Sequence, residues 1–297
     1  MSINKIVKEY LPSFLVRMLR KLREYTAVKI IRKYQSFQLK SFTDEKQIEV
    51  LFEGIRAVVL IKPNNGWVDN YIFLNSIHEP DILKIIKDNV NEGDAVVDVG
   101  ANIGQHTLFL AKFVGDSGFV YAFEPLLSNT NSIQKSLTLN NINNVKVETM
   151  AVGEEDRNVK IYVPVTANDR SSRELVGVVS DQYEEVGMVS LDNYFKNKKI
   201  DFIKIDTEGF ESEVLAGAKE IISRYMPTIL LEYAPKFYKK RNIDGNDLLN
   251  NLIMQNYLLT DIPSGYGEIN DVKEYTEFLT KGGSGISNIL ATHRSAN

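Results

Sequence analysis

Residues 96–104 read Val-Val-Asp-Val-Gly-Ala-Asn-Ile-Gly, and this stretch decides the fold. The β-branched residues up to Asp98 predict a strand, the glycines at 100 and 104 predict a tight turn, and Thr107–Phe113 predicts a helix. We interpret Gly100 as the point where the backbone approaches a ligand, and Gly104 as the point where strand and helix pack closely. Because the amides at a helix start are open, the stretch predicts a nucleotide-like cofactor site at the carboxyl edge of a parallel sheet.

The composition is that of a globular protein. The 297 residues are 43% hydrophobic and 25% charged, enough for one large domain or for one domain with an appendage. Cysteine does not occur, which excludes disulfides, thiolate zinc sites and a cysteine nucleophile. No apolar run reaches the roughly 18 residues of a membrane span, and Arg17, Arg20 and Lys21 interrupt the N-terminal apolar stretches. We expect a cytoplasmic protein.

The charge is unevenly divided. Residues 1–40 contain ten Lys or Arg and two Glu, a net charge of +8, so the remaining residues carry −12. Residues 1–45 are predicted to form a basic amphipathic helical arm. Two interpretations stay open: peripheral contact of residues 1–40 with anionic lipid at the inner face of the membrane, or a protein contact, either with the body or in a homo-oligomer. The acidic body argues against nucleic acid as a partner.

The remainder is divided into two regions. Residues 46–78 are predicted to form a β-hairpin or short meander, with Pro63–Gly66 as its turn. Residues 79–297 alternate between strand and helix, which predicts an α/β domain with a mostly parallel sheet covered on both faces. Predicted strands are 95–99, 119–124, 145–150, 201–205, 228–232, 257–261 and 286–292; predicted helices are 79–90, 105–114, 128–140, 210–225 and 246–255. A Gly-rich loop over 281–285 is predicted between the last two strands, and a long polar loop over 164–187.

Acidic residues end three of the predicted strands. Glu124 follows Gly104 by 20 residues, where a carboxylate can accept two hydrogen bonds from ribose hydroxyls. Asp206 and Glu208 follow the strand 201–205, and Glu232 ends the strand 228–232. These three carboxylates are candidates for orienting a substrate or acting as a base. Alternatively, Asp206 and Glu208 cap a helix, or Asp206 and Glu232 hold a divalent metal ion.

The histidines are weaker candidates. His106 lies two residues past Gly104, on the first turn of the predicted helix, and is a candidate base; ordinary packing at a helix start is the alternative. His78 and His293 have no evident partner in the sequence. A Walker lysine, a nucleophile elbow and a His-Glu-x-x-His motif are all absent.

At this point the motifs resemble a known family, the FkbM family of S-adenosylmethionine-dependent methyltransferases. The motifs occur in that family's order, over roughly residues 79–292. They are Asp98-Val-Gly-Ala-Asn-Ile-Gly104, Phe123-Glu124-Pro125, Ala151-Val-Gly153, Ser190-Leu-Asp192, Ile203-Lys-Ile-Asp206-Thr-Glu208-Gly209-Phe-Glu211, Val214-Leu-x-Gly-Ala218 and Pro227-x-Ile-x-x-Glu232. Thr207 stands where the family often has Val.

The resemblance implies a class I methyltransferase sheet of seven strands in the order 3-2-1-4-5-7-6, with strand 7 antiparallel. It implies S-adenosylmethionine as the cofactor and methyl transfer, typically to a hydroxyl oxygen of a small molecule or glycan. Asp206 and Glu208 would face the transferring methyl group. The implied cofactor set is Asp98, Gly100, Ala101, Asn102 and Gly104 at the methionine part, Glu124 and Pro125 at the ribose, and Met150 and Ala151 near the adenine.

The acceptor and the reaction class leave alternatives. A carbohydrate acceptor is favoured by the resemblance and, weakly, by polar and aromatic residues in or beside the 164–187 loop and by three tyrosines further along the chain. These are Tyr162, Arg170, Ser171, Ser172, Arg173, Tyr183, Tyr233, Tyr238 and Tyr266. One alternative is a nicotinamide-dependent oxidoreductase, although Gly-Ala-Asn-Ile-Gly does not fit Gly-x-Gly-x-x-Gly. The other is a non-catalytic, cofactor-binding partner protein tethered by its basic arm.

Overall fold

The computed structural model describes residues 44–63, 65–162, 183–262, 265–282 and 285–296. The predicted arm over residues 1–45 therefore lies almost wholly outside the described residues. Among the described residues, no helix is both long enough and apolar enough to cross a membrane.

A seven-stranded sheet forms the centre of the structure. Its strands, in chain order, are β3 (Ala95–Val99), β4 (Phe119–Phe123), β5 (Val145–Glu148), β9 (Phe202–Ile205), β10 (Thr228–Tyr233), β11 (Tyr257–Asp261) and β12 (Ser287–His293). Two smaller sheets contain β1 (Lys46–Phe52), β2 (Ile55–Ile61), β6 (Ala151–Val152), β7 (Arg157–Tyr162) and β8 (Tyr183–Val189).

Helices cover the sheet. They are α1 (Trp67–Asn75), α2 (Pro80–Asn89), α3 (Gln105–Phe113), α4 (Leu127–Leu139), α5 (Leu191–Phe195), α6 (Glu211–Ala216), α7 (Lys219–Tyr225), α8 (Pro235–Lys240), α9 (Gly245–Met254) and α10 (Val272–Gly282).

The strand order is β11-β12-β10-β9-β3-β4-β5. Numbered within the sheet alone, this is 6-7-5-4-1-2-3, and β12 runs antiparallel to both of its neighbours while the other pairs are parallel. The expected class I methyltransferase sheet is confirmed. Because the parallel strands are buried on both faces, their sequences are nearly continuous apolar runs, as in Ile203 and Leu231 with their neighbours.

Several predicted boundaries were wrong. The helix expected over 210–225 is divided into α6 and α7 at Gly217 and Ala218. A Cβ at Gly217 would lie 2.0 Å from the carbonyl oxygen of Gly153, so the backbone of residue 217 packs against that loop. The strand expected over 145–150 ends at Glu148, and β11 and β12 are separated by α10, where the sequence indicated only a Gly-rich loop.

The β-hairpin is present, but its turn lies ahead of the predicted one. β1 and β2 pair antiparallel around Glu53 and Gly54, both with positive φ, as a type I′ turn requires. Gly66 instead precedes α1, a helix within residues 46–78, where the sequence predicted only a β-hairpin or short meander. The hairpin is held on α4: Asn140 accepts a hydrogen bond from the Val58 amide (2.8 Å) and donates one to the Val58 carbonyl (2.7 Å).

A separate three-stranded sheet of order β6-β8-β7 is formed by strands that follow β5 in the chain. The sequence did not predict it. The predicted 164–187 loop is partly wrong, because Tyr183–Gly187 belong to β8 and pair with β7. Residues 163–182, including Arg170, Ser171, Ser172 and Arg173, lie outside the described residues.

Candidate active site

The glycine turn after β3 is shaped by packing as well as by conformation. Gly100 and Gly104 have φ of +82° and +89°, which side chains rarely adopt. A Cβ on Gly100 would lie 1.9 Å from the Asp206 carbonyl oxygen, and one on Gly104 would lie 2.9 Å from Cγ1 of Ile133 on α4. Gly100 is therefore required for the close approach of the chain after β9, which the sequence interpretation assigned to a ligand. Gly104 allows α3 and α4 to pack.

Glu124, just after β4, is held by the turn that it faces. Its side chain is buried and accepts hydrogen bonds from the amide of Asn102 (3.0 Å), the amide of Leu126 (3.2 Å) and Nδ2 of Asn129 (3.1 Å). These contacts fix the carboxylate at the carboxyl edge of the sheet, across the glycine turn.

A cavity lies between the glycine turn, Glu124 and the chain after β9; we call it the glycine-turn cavity. It contains six of the nine predicted cofactor residues: Gly100, Asn102, Glu124, Pro125, Met150 and Ala151. The rest of its lining is mostly apolar and consists of Val99, Phe123, Leu126, Asn129, Val152, Ile161, Asp206, Thr207, Glu208 and Phe210. One fixed carboxylate opposite an apolar wall suits a ligand with a hydroxylated ring joined to a flat aromatic ring.

The other three predicted cofactor residues lie beneath this cavity. Ala101 packs in the core under the hairpin, and Gly104 precedes α3. Asp98 is fully buried: its Oδ2 accepts from the Thr107 hydroxyl (2.7 Å), and its Oδ1 is 3.6 Å from Nζ of Lys204. These residues shape the turn from below and do not line the cavity.

Lys204 connects that buried carboxylate with the site. It lies on β9, nearly inaccessible, with Nζ 3.3 Å from Asp206 Oδ2. Burial lowers the pKa of Lys204, but the carboxylates of Asp206 and Asp98 outweigh this effect and raise it. The charge of Lys204 is thus compensated by a carboxylate on each side.

The turn after β9 is organised by Glu211, which was not among the predicted site residues. Glu211 is fully buried and accepts hydrogen bonds from the Thr207 amide (3.0 Å), the Thr207 hydroxyl (3.0 Å) and the Gly209 amide (3.1 Å). On the other side, Arg241 donates to the Gly209 carbonyl and lies 3.7 Å from the centre of the Phe210 ring. The turn is thus fixed with Asp206 and Glu208 facing the cavities.

A second cavity of about 660 Å³ adjoins the first; we call it the acidic cavity. Asn102, Asp206 and Glu208 line both. The acidic cavity also contains Trp67, Val68, Tyr71, His78, Glu79, Pro80, Asp81 and Glu232. The structure therefore brings Asp206, Glu208 and Glu232 together, as the parallel strands predicted.

The sequence missed the side of this cavity that is formed by residues 67–81. His78 has partners after all: its amide donates to Gln105 Oε1 (2.8 Å), its carbonyl accepts from Gln105 Nε2 (2.7 Å), and its Nδ1 is 3.5 Å from Glu79. His106 is buried, does not line the cavity, and has Nε2 3.9 Å from Glu79 Oε2. This position does not support its expected role as a base, because His106 does not line the cavity.

Three non-glycine residues with positive φ lie at this cavity. Glu79, Asn102 and Glu208 all line the acidic cavity and have φ of +49° to +53°, a region that favours glycine. Strained non-glycine residues cluster at functional sites, where neighbouring structure holds them in place.

Burial favours the neutral forms of the titratable groups at the acidic cavity. Burial, assisted by Asp206, raises the pKa of Glu79 to about 7. Burial and the carboxylates of Asp206 and Glu211 raise the pKa of Glu232 well above its ordinary value. Burial lowers the pKa of His78 to about 4 and lowers that of His106 as well. Perturbed carboxyl groups in a cleft indicate a reactive site.

The metal interpretation gains no support from the geometry. Across the described part of the chain, no group of three or more His, Asp or Glu side chains is arranged to hold an ion. Asp206 and Glu232 both line the acidic cavity, but Asp206 is engaged by Lys204.

The tyrosines suggested above as contacts of a carbohydrate acceptor lie elsewhere. Tyr233 and Tyr238 are fully buried, and Tyr266 packs against Tyr275 and Phe278. Tyr162 and Tyr183 contact each other on β7 and β8. Trp67 and Tyr71 line the acidic cavity. The sequence predicted extended structure here, so it did not indicate that these two residues lie one turn apart on a helix.

Comparison with known sequences identifies the family of this chain. The profile of the Methyltransferase FkbM domain matches residues 98–281. Methyltransferase 1 of Beauveria bassiana is 25% identical over 143 residues, which are 41% of this chain and 57% of that protein. A protein-L-isoaspartate O-methyltransferase of Fervidobacterium nodosum is 29% identical over 75 residues, 25% of this chain and 36% of that one. The chain thus spans between a third and three fifths of the length of these curated relatives.

Among solved structures, methyltransferase FkbM from Methylobacillus flagellatus KT aligns with a TM-score of 0.44 at 16% identity, covering 76% of this chain and 54% of that one. An O-methyltransferase from Thermotoga maritima aligns with a TM-score of 0.40 at 13% identity, covering 85% and 78%.

Proposed function

Since the chain belongs to the FkbM methyltransferase family, we propose that it transfers a methyl group from S-adenosylmethionine to a hydroxyl oxygen of a small molecule or glycan, specifically a carbohydrate. One observation carries the proposal. The glycine-turn cavity and the acidic cavity share Asn102, Asp206 and Glu208, so a cofactor in the first would meet an acceptor in the second at these residues.

The glycine-turn cavity fits the cofactor. Glu124 is fixed by two backbone amides and aimed across the turn, where it would accept hydrogen bonds from the ribose hydroxyls. Met150 and Ala151 would contact the adenine, and Gly100 and Asn102 the methionine part. When bound, S-adenosylmethionine supplies an activated methyl group on a positively charged sulfur.

The residues of the chain then have two tasks. The first is to align the acceptor oxygen behind the methyl carbon, so that the new C–O bond forms as the C–S bond breaks. The second is to receive the hydroxyl proton, which a carboxylate within hydrogen-bond reach can do. Asp206, Glu208 and Glu232 are candidates, and the structure adds Glu79, whose pKa of about 7 suits proton transfer near neutral pH. A divalent cation held by Asp206 and Glu232 is the alternative means of activating the hydroxyl.

The cofactor is tested by calorimetry with S-adenosylhomocysteine. We expect Glu124→Gln to weaken binding about 10- to 100-fold, because two charge-assisted hydrogen bonds to the ribose are lost. Glu155→Gln is the matched control, since this carboxylate is 73% exposed and lies outside the glycine-turn cavity. Absence of binding to the folded wild-type protein would contradict the proposal.

The reaction is tested with labelled S-adenosylmethionine and a panel of sugars, with EDTA and separately with added Mg²⁺. We expect label in a sugar ether, and its loss in Asp206→Asn with cofactor binding retained. Activity only with Mg²⁺ would favour the metal alternative. Cofactor binding without transfer to any acceptor would favour the non-catalytic partner role.

A further inference from the structure

The acidic cavity is built from two unlike walls. One wall contains Trp67 and Tyr71 of α1 with His78 after it, and the other contains carboxylates from α2, β10 and the turn after β9. Trp67 and the other residues of the first wall precede the residues matched by the family profile, which begin at 98. The two walls together restrict the chemistry of the ligand that fits between them.

We propose that the acidic cavity binds the methyl acceptor as an uncharged or amino-substituted sugar ring packed against Trp67, and that its carboxylates exclude acceptors with a negative charge. This rests on the proposed function, since the acceptor is placed by its nearness to the glycine-turn cavity. It adds the charge class of the acceptor and the residue against which it packs.

The aromatic wall presents an accessible surface at the rim. Trp67 is 52% exposed although it lies on a helix that packs against the hairpin. Its ring centre is 4.9 Å from that of Tyr71 and 5.1 Å from that of His78, which meets it edge-on at 79°. The side chain of Gln105 on α3 hydrogen-bonds both the amide and the carbonyl of His78, which fixes the position of His78 in this wall. A rigid, half-exposed indole offers the apolar surface that the C–H face of a sugar needs.

The other wall is formed by acidic side chains, and little positive charge lies beside it. Glu79, Asp81, Asp206, Glu208 and Glu232 line the cavity, and no Lys or Arg lines it among the residues that the structure describes. The cation beside this wall, Lys204, is shared by Asp206 and Asp98. His78 stays neutral because burial lowers its pKa to about 4.

These carboxylates already repel one another. Glu232 is the clearest case, because its buried Oε2 has no hydrogen-bond partner among the described residues. The carboxylates of Asp206, Glu211 and Glu208 add to the effect of burial in raising its pKa. Sugar hydroxyls or an ammonium group would donate to such oxygens, whereas a further carboxylate or phosphate would add repulsion in a poorly solvated space.

The experiment uses the one tryptophan of the chain as a reporter. Full-length protein saturated with S-adenosylhomocysteine is titrated near pH 7.5 with methyl glucoside, glucosamine and glucuronate, with ionic strength matched by NaCl. We expect the first two sugars to shift or quench Trp67 emission in a saturable way and glucuronate to leave it unchanged. Glucuronate acting as strongly as methyl glucoside would overturn the charge selection.

Variants separate stacking from folding. By calorimetry, Trp67→Ala should weaken methyl glucoside binding about tenfold, and Trp67→Phe by less, because an aromatic ring remains. Leu74→Ala, an exposed position on the same helix, should change nothing. The double variant Glu79→Gln/Asp81→Asn should admit glucuronate.

Failure of the inference is distinguishable from failure of the proposed function. Sugar methylation with no response of Trp67 would place the acceptor elsewhere and overturn the inference alone. S-adenosylhomocysteine binding with no response to any of the three sugars would also overturn it. Absence of S-adenosylhomocysteine binding would overturn the proposed function itself.

Discussion

At the scale of single residues, several motif residues stabilise the backbone around the candidate active site. Gly100 admits the carbonyl of Asp206, and Glu211 holds the amides of the turn that follows. Asp192 accepts hydrogen bonds from the amides of Glu220 and Ile221 and so caps α7. The motif residues therefore fix the position of two neighbouring strand ends, and with them the position of Asp206 and Glu208, which we propose take part in the reaction.

Replacement of Gly100 by alanine tests this packing. We expect Gly100→Ala to lower the free energy of unfolding by several kcal/mol, because a Cβ would lie 1.9 Å from a backbone oxygen that cannot move easily. Urea unfolding gives the value.

The matched control is Gly54→Ala in the hairpin turn. Gly54 has the same φ of +82°, and no atom lies within 4 Å of the point that a Cβ would occupy, so only the conformational cost of about 1–2 kcal/mol applies. Equal losses in the two variants would show that conformation, and not the approach of the chain after β9, requires glycine at position 100.

At the scale of elements, the hairpin and α1 position one wall of the acidic cavity. β2 leads through Lys62 into α1, and the Lys62 amide donates to Asp69 Oδ1 (2.7 Å) on that helix. The outer edge of β2 is hydrogen-bonded to α4 by Asn140 at Val58 and by Ser136 at Leu60 (2.9 Å). Covering this edge with side-chain partners stabilises the hairpin and prevents its pairing with another chain.

Asn140→Ala removes that attachment. We expect faster hydrogen exchange at the Val58 amide and a loss of about 1–3 kcal/mol in stability, because a donor and an acceptor of Val58 lose their partner. Asn143→Ala, at an exposed position in the same loop, should stay within about 0.5 kcal/mol of wild type. Unchanged exchange at Val58 would show that the hairpin is held by its apolar contacts alone.

The elements also show what the sequence could predict. The parallel core was readable because each strand is a short apolar run followed by a polar turn, and the same rule brought Asp206 and Glu232 to one edge. α1 was misread because Trp67, Val68, Tyr71, Ile72 and Phe73 are residues with high β propensity. Trp67 and Glu79 could not be placed at the site, since their position depends on how the hairpin folds back onto α4.

At the scale of the whole molecule, charge is divided between the basic arm and the acidic body. We propose that residues 1–40 provide peripheral attachment to anionic membranes, which would suit an acceptor sugar linked to a lipid.

Deletion of residues 1–40 should abolish flotation with anionic vesicles while leaving S-adenosylhomocysteine affinity unchanged. Zwitterionic vesicles are the control, because attraction to the arm requires anionic lipid. Unchanged flotation after the deletion would contradict the membrane proposal and favour a protein contact for the arm.

The acidic cavity should also affect stability of the whole protein as pH changes. The pKa of Glu79 is 4.5 when unperturbed and about 7 in the fold, so between these values the folded state keeps a proton that the unfolded chain has lost. The contribution of Glu79 to stability is therefore present below pH 4.5 and is lost as pH rises to about 7. His78, lowered from 6.5 to about 4, acts oppositely between those values.

Glu79→Gln removes the pH-dependent contribution of Glu79 to stability and keeps that of His78. Relative to wild type, we expect the unfolding free energy of Glu79→Gln to increase as pH rises from about 5 to about 7, measured by urea unfolding at intervals across that range. The groups that face Glu79 remain in both proteins: His78, Asp81, His106, Lys204, Asp206, Glu208 and Glu232. Glu45→Gln changes an exposed carboxylate paired with Lys135, and its unfolding free energy should vary with pH in the same way as that of wild type. A constant difference between Glu79→Gln and wild type would mean that Glu79 is ionised throughout, and the carboxylate wall would then carry its full negative charge without proton uptake.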